Sequence, residues 1–245
     1  MVAKTYIETF DHGESGWLSW ANRPLRPEVR DSTIISRGPW EIDPNHAPPG
    51  AGYLHLLFML HTFYPPDIAG SRYEKVLKTC TPNRFVNGGF SNDLRNAKLW
   101  VRLKGEVNLR GAQLVLLAQG NVARGDDGKL NWEKPNYVNQ ALSAQPFAIT
   151  PEWSEQTITL TPDQKQWVEL GARHGSETFY GKAPIEEMLR QTIDIIFVLF
   201  PLDVRSLTPI KGDIHRLRPI TDYELDRSRL PEGYVMLDEV RIEYP

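Results

Sequence analysis

Hydrophobic and polar positions alternate with a period of two along much of this chain, and Pro or Gly interrupts the alternation at short intervals. In 97–104, Ala97, Leu99, Val101 and Leu103 share one face, while Lys98, Trp100, Arg102 and Lys104 share the other. That is the signature of a strand with one face buried. In 112–119, Gln113 and Gln119 bracket Val115 and Leu117 on one side, and in 155–160 Ile158 and Leu160 point inward. The stretches 52–61 and 194–200 are almost continuously apolar, which predicts strands covered on both faces. Further strands are expected at 6–11, 32–36, 132–139, 147–150 and 167–170. A helix is expected at 184–191, where Ile185, Met188 and Leu189 recur at helical spacing, and one helical turn after Thr161-Pro162-Asp163.

The final strand, 235–244, carries an anomaly. Regular alternation puts Glu239, Arg241 and Glu243 on one face and Met236, Val240, Ile242 and Tyr244 on the other, with Asp238 among the apolar set. A carboxylate there is costly unless it is paired, hydrogen-bonded or bound to a metal. Near the other terminus Asp11 stands beside Phe10 and Trp17. The expectation is that the two ends meet and that these acids lie close together.

The 19 Pro and 18 Gly cut the chain into short pieces, 39–49 reads as irregular, and two large excursions, at 62–93 and 202–232, lack a strand pattern. Many short strands separated by turns predict an all-β sandwich or barrel, read here as a single domain over 1–245. A balance of 28 basic against 31 acidic residues argues against a nucleic-acid surface. No apolar run is long enough to span a membrane as a helix. A lone cysteine, Cys80, excludes an internal disulfide and a Cys-based zinc site. The opening Met1-Val-Ala-Lys-Thr-Tyr lacks the apolar centre of a signal peptide, so a cytoplasmic setting is expected, or a secreted one if a leader has been removed.

The segment Phe10-Asp11-His12-Gly13-Glu14-Ser15-Gly16-Trp17 resembles the opening of carbohydrate-binding modules with the galactose-binding-like jelly-roll fold. The closing strand, with its acid-acid-Val pattern at Asp238-Glu239-Val240, is similar to theirs, as is the Ala-Lys-Leu-Trp-Val-Arg run at 97–102. The resemblance implies a jelly-roll β-sandwich with long loop excursions, one or two short helices, and a structural calcium where the termini meet. Asp11 and Asp238 match the acids of those motifs, and Glu8 lies two residues before Phe10 on its face. A hard cation takes several oxygen ligands, which these three could help supply.

A carbohydrate or related polar ligand is recognised by flat aromatics beside planar amides and guanidinium groups. Trp100, Arg102, Gln113, Gln119, Trp132 and Tyr137 provide that set, with Asn139 nearby in sequence. A second reading is an enzyme of lyase or hydrolase type acting on a glycan or sugar acid, with His46, His61, Arg72 and Tyr73 around the 43–93 excursion as catalytic candidates. A third is a protein-interaction module. Walker, Gly-x-Ser-x-Gly and His-Glu-x-x-His motifs are all absent.

Overall fold

The computed structural model describes residues 5–19, 26–43, 53–64, 82–170, 181–212, 217 and 219–245. His46, Arg72, Tyr73 and Cys80 lie outside them. The chain is an all-β sandwich of two antiparallel sheets with two short helices. Its strands are β1 (Tyr6–Glu8), β2 (Trp17–Leu18), β3 (Glu28–Arg30), β4 (Thr33–Arg37), β5 (Tyr53–His61), β6 (Lys98–Asn108), β7 (Gln113–Asn121), β8 (Tyr137–Ala141), β9 (Ser154–Thr159), β10 (Val168–Leu170), β11 (Thr192–Leu202) and β12 (Glu232–Glu243). The helices are α1 (Arg84–Asn87) and α2 (Ile185–Leu189). Among the described residues no helix is long and apolar enough to cross a membrane.

The first sheet runs β3-β4-β12-β6-β9, and β1 joins it by pairing with β12, Tyr6 opposite Ile242 and Glu8 opposite Val240. The two ends of the chain therefore share a sheet. The second sheet runs β10-β8-β7-β11-β5-β2. Between the sheets lies an aromatic core. Phe197 of β11 meets Trp17, Phe58 and Phe147 at ring separations of 6.0, 6.4 and 5.5 Å. Trp17 in turn packs edge-on against Phe10 and donates its indole N–H to the Tyr6 hydroxyl, 3.3 Å away across the sandwich. Burial raises the Tyr6 hydroxyl far above its ordinary pKa, so it stays a neutral acceptor. Gly16 makes this approach possible: its φ is +84°, and a Cβ there would come within 2.4 Å of Asn83.

The expectation for β12 is corrected by a β-bulge. Leu237 pairs with Leu103 but Glu239 pairs with Arg102, so Asp238 is an extra residue in the ladder. One inserted residue reverses the alternation. Before the bulge Val235 and Leu237 face the core; after it Val240 and Ile242 do, all at most 1% exposed. Met236 and Asp238 consequently point outward, and the carboxylate is not on the apolar face. The strand expected at 132–139 begins only at Tyr137, and 147–150 keeps a single bridge, Phe147 to Leu114.

Candidate functional site

The continuously apolar strands β5 and β11 lie side by side at the centre of the second sheet, and both of their faces are buried. Ile195, Leu60 and Ala118 form one cross-strand row toward the core. Ile196, Met59, Leu117 and Ala141 form a row on the opposite face, each 4% exposed or less. The next row on that outer face is polar throughout. His61 stands opposite Asp194, Asp194 opposite Gln119, and Gln119 opposite Asn139, across β5, β11, β7 and β8. At about 4.8 Å per strand spacing the row extends roughly 14 Å between its outermost backbones. A register shift between Thr192 and Asp194, where the Ile193 carbonyl accepts from the Thr62 and Phe63 N–H groups, aims Asp194 into this row.

Within the row the side chains meet in pairs. His61 Nδ1 touches the Asp194 carboxylate, both residues being about 5–6% exposed. The contact is off the angle of a regular hydrogen bond, and the other ring nitrogen, Nε2, is buried without a partner among the described residues. The Gln119 amide donates to Asn139 Oδ1 at 2.7 Å, and the buried Asn139 Nδ2 has no acceptor among the described residues. A buried polar nitrogen left unmatched costs roughly 1–3 kcal/mol, so two in one row are a marked exception in an otherwise apolar layer. The Tyr64 ring stands edge-on to His61 at 5.7 Å. Beyond it Phe63, 37% exposed, stacks on Trp132 at 5.5 Å and 22°. Asn121, wholly buried, anchors that corner by donating to the Asn131 carbonyl and accepting from the Ala123 and Asn136 N–H groups.

The sequence-derived ligand set is divided between the two sheets. Gln119, Tyr137 and Trp132 gather at the end of the second sheet, on or beside the polar row. Gln113 lies on the same strand as Gln119, six residues or about 20 Å away, opposite Phe200 and exposed. Trp100 and Arg102 belong to the outer face of the first sheet. The Arg241 guanidinium covers Trp100 at 4.4 Å, and Arg102 lies over Trp153 at 5.1 Å while pairing with Asp238. One groove containing all six is therefore not formed. Among the catalytic candidates, His61 is the one that lies within the described residues, and it belongs to the row. His55 serves the core: it is fully buried, its Nδ1 lies 3.0 Å from the Glu41 carbonyl, and burial pushes its pKa down to about 4.

The proposed calcium ligands each have other partners. Glu8 is buried, and its Oε1 accepts from the Thr9 and Phe10 N–H groups and from Arg84 at 3.2 Å. Asp11 is exposed, and its carboxyl is held below the ordinary range by hydrogen bonds from Thr9 and Ser32. Asp238 is committed to Arg102. Among the described residues no group of three or more His, Cys, Asp or Glu side chains gathers as a metal would need. Glu8 Oε2 is buried without a regular hydrogen bond among the described residues, and the carboxylate also interacts with the Tyr6 hydroxyl.

Asp194 is not among the sequence-derived candidates. It was legible as the lone acid in Thr192-Ile-Asp-Ile-Ile-Phe-Val-Leu-Phe, the same signal that drew attention to Asp238. No protein-family model and no curated protein matches the chain. Among solved structures, a chain from work on endo-acting O-glycanases that members of the human gut microbiota express to initiate mucin breakdown overlays 97% of this chain and 98% of its own length. The identity is 9% and the TM-score 0.39, an overlay that carries no argument about fold or activity.

Proposed function

We propose that this chain is a carbohydrate-binding protein of the galactose-binding-like jelly-roll class, with its ligand on the outer face of the second sheet. The observation that carries this reading is the pair of unmatched nitrogens, His61 Nε2 and Asn139 Nδ2, in a row of four polar side chains on a buried apolar face. Sugar hydroxyls both donate and accept, so a polyhydroxyl ligand satisfies a ring nitrogen in either tautomer and an amide donor at once. The stacked Phe63 and Trp132 supply an apolar flank of the kind that covers sugar C–H faces. The row contains no Lys or Arg, which favours an uncharged sugar there.

Retardation of the protein in gels containing neutral glycans is the direct test. Asn139→Ala, which removes the unmatched donor, is expected to weaken binding about tenfold, the worth of one desolvated hydrogen bond. Unchanged retardation of the variant on a glycan that retards the parent protein rejects this site. The His61–Asp194 contact favours one further reading, since a carboxylate behind an imidazole is how a general base is oriented. Turnover of a retained glycan, lost in His61→Gln while binding persists, distinguishes the enzyme from the binding protein.

Calcium enters this reading through Glu8. Chelation is expected to lower the melting temperature by several degrees, and an unchanged melt of a protein free of metal by elemental analysis removes the ion from the account.

A further inference from the structure

The outer face of the first sheet contains a groove that the polar row does not explain. It has a volume of about 490 Å³, within the range of small-ligand sites. Ile35 of β4 and Met236 of β12 are cross-strand neighbours and form an apolar floor, and Trp153 and Tyr234 also line it. Arg30, Arg37 and Lys104 stand around it with Asp31 and Asp238. The aromatic rings hold the cations in place: Lys104 Nζ lies 4.7 Å from the centre of the Trp153 ring, and the Arg37 guanidinium 5.4 Å from that of Tyr234.

The charges around this groove are not equivalent. Arg37 pairs with Glu28 at 2.9 Å, Arg30 with Asp31 at 3.4 Å, and Asp238 with Arg102. Lys104 has no carboxylate within ion-pair distance among the described residues, although it is only half-exposed and held against an indole. One positive charge thus remains uncompensated over an apolar floor.

The geometry points to a second binding site here, for a sugar residue that carries a single carboxylate, a hexuronate within a glycan. The carboxylate pairs with Lys104, and the less polar face of the ring lies over Met236 and Ile35. Sulfate alone engages the charge without the floor, and a neutral hexose engages the floor without the charge. The site stands on the opposite sheet from the His61–Asn139 row and does not depend on it.

Calorimetric titration at low salt with a hexuronate oligosaccharide, its neutral hexose counterpart and inorganic sulfate tests the assignment. The hexuronate is expected to bind, the other two at least tenfold more weakly, and added salt to weaken the hexuronate. Lys104→Gln, a surface change that leaves the fold intact, is expected to cost tenfold or more in hexuronate affinity, while Asn139→Ala leaves it unchanged. Absence of hexuronate binding, equal binding of the neutral sugar, or an unaffected Lys104→Gln variant overturns the site. An effect of Asn139→Ala equal to that of Lys104→Gln also overturns it, because the uronate is then bound at the row.

Discussion

The two outer faces of the sandwich handle polar groups in opposite ways. On the first sheet Arg102, Asp238, Glu239 and Arg241 are half-exposed, and two ion pairs, Arg102–Asp238 and Arg241–Glu239, join them. The solvent shares the work of stabilising those charges, so no single pair is decisive. On the second sheet His61, Asp194 and Asn139 are nearly excluded from water, in a layer that otherwise contains Met59, Ile196, Leu117 and Ala141. There each partner is necessary, because nothing replaces it. The same residue type, an Asp in a long strand, is thus dispensable on one face and structural on the other. Burial, not the presence of a partner, separates the cases.

The largest expected effect follows from that difference. Asp194→Ala leaves His61 in an apolar layer without its carboxylate and is expected to lower unfolding stability by about 1–3 kcal/mol, the usual cost of leaving a buried polar group unmatched. Urea unfolding measures it. Replacing both members, His61→Phe with Asp194→Leu, is expected to recover much of the loss, because apolar side chains of similar volume suit the neighbouring row. A loss for Asp194→Ala below about 1 kcal/mol, the range of an exposed pair, erases the contrast between the faces.

The same contrast governs what the sequence reveals. Period-two alternation in Leu99, Val101 and Leu103 and the apolar runs in β5 and β11 disclose the sandwich, because strand burial is written in composition. The pairing of the chain ends was also readable, from the aromatics around Asp11 and the closing strand. A bulge is not readable, since it is an extra residue in a ladder whose partner lies far away in sequence, and it moved Asp238 to the opposite face. The polar row was half readable. Gln119 and His61 were visible as polar residues in apolar strands, but their alignment with Asp194 and Asn139 is a matter of register across four strands. Gln119 looked able to continue the Trp100 face on another strand, yet each sheet has its own outer face.

Acid titration extends the comparison to a buried group without a carboxylate. His55 lies between Trp40 and the Glu41 carbonyl, and burial pushes its pKa down to about 4 from 6.5. Between those values the unfolded chain takes up a proton that the folded chain refuses, so stability is full above pH 6.5 and falls as the pH falls toward 4. The expected loss from this group is up to about 3 kcal/mol. Unfolding midpoints of the parent protein and of His55→Leu, measured across that window, isolate the contribution. The variant gives up one hydrogen bond to Glu41 but is expected to show the flatter profile, and parallel profiles would assign the acid sensitivity to other groups.

Asp238→Ala sharpens the comparison from its weaker side. Asp238 and Arg102 are in contact, and contact alone would suggest a bond as important as that of Asp194 with His61. The side chains are 22% and 38% exposed, however, and Arg102 also rests on the face of Trp153, so removing the carboxylate leaves the guanidinium both hydrated and supported. The expected loss is about 0–1 kcal/mol, and it shrinks further in high salt because water and ions screen the pair. The bulge is held by the backbone pairing on either side of it, Leu237 to Leu103 and Glu239 to Arg102, not by the carboxylate. Asp238→Ala therefore keeps the strand register, which the amide exchange of the Val240 and Ile242 N–H groups reports. Rapid exchange at those two positions, or a loss approaching that of Asp194→Ala, means that Asp238 is held by more than Arg102, as a bound cation would hold it.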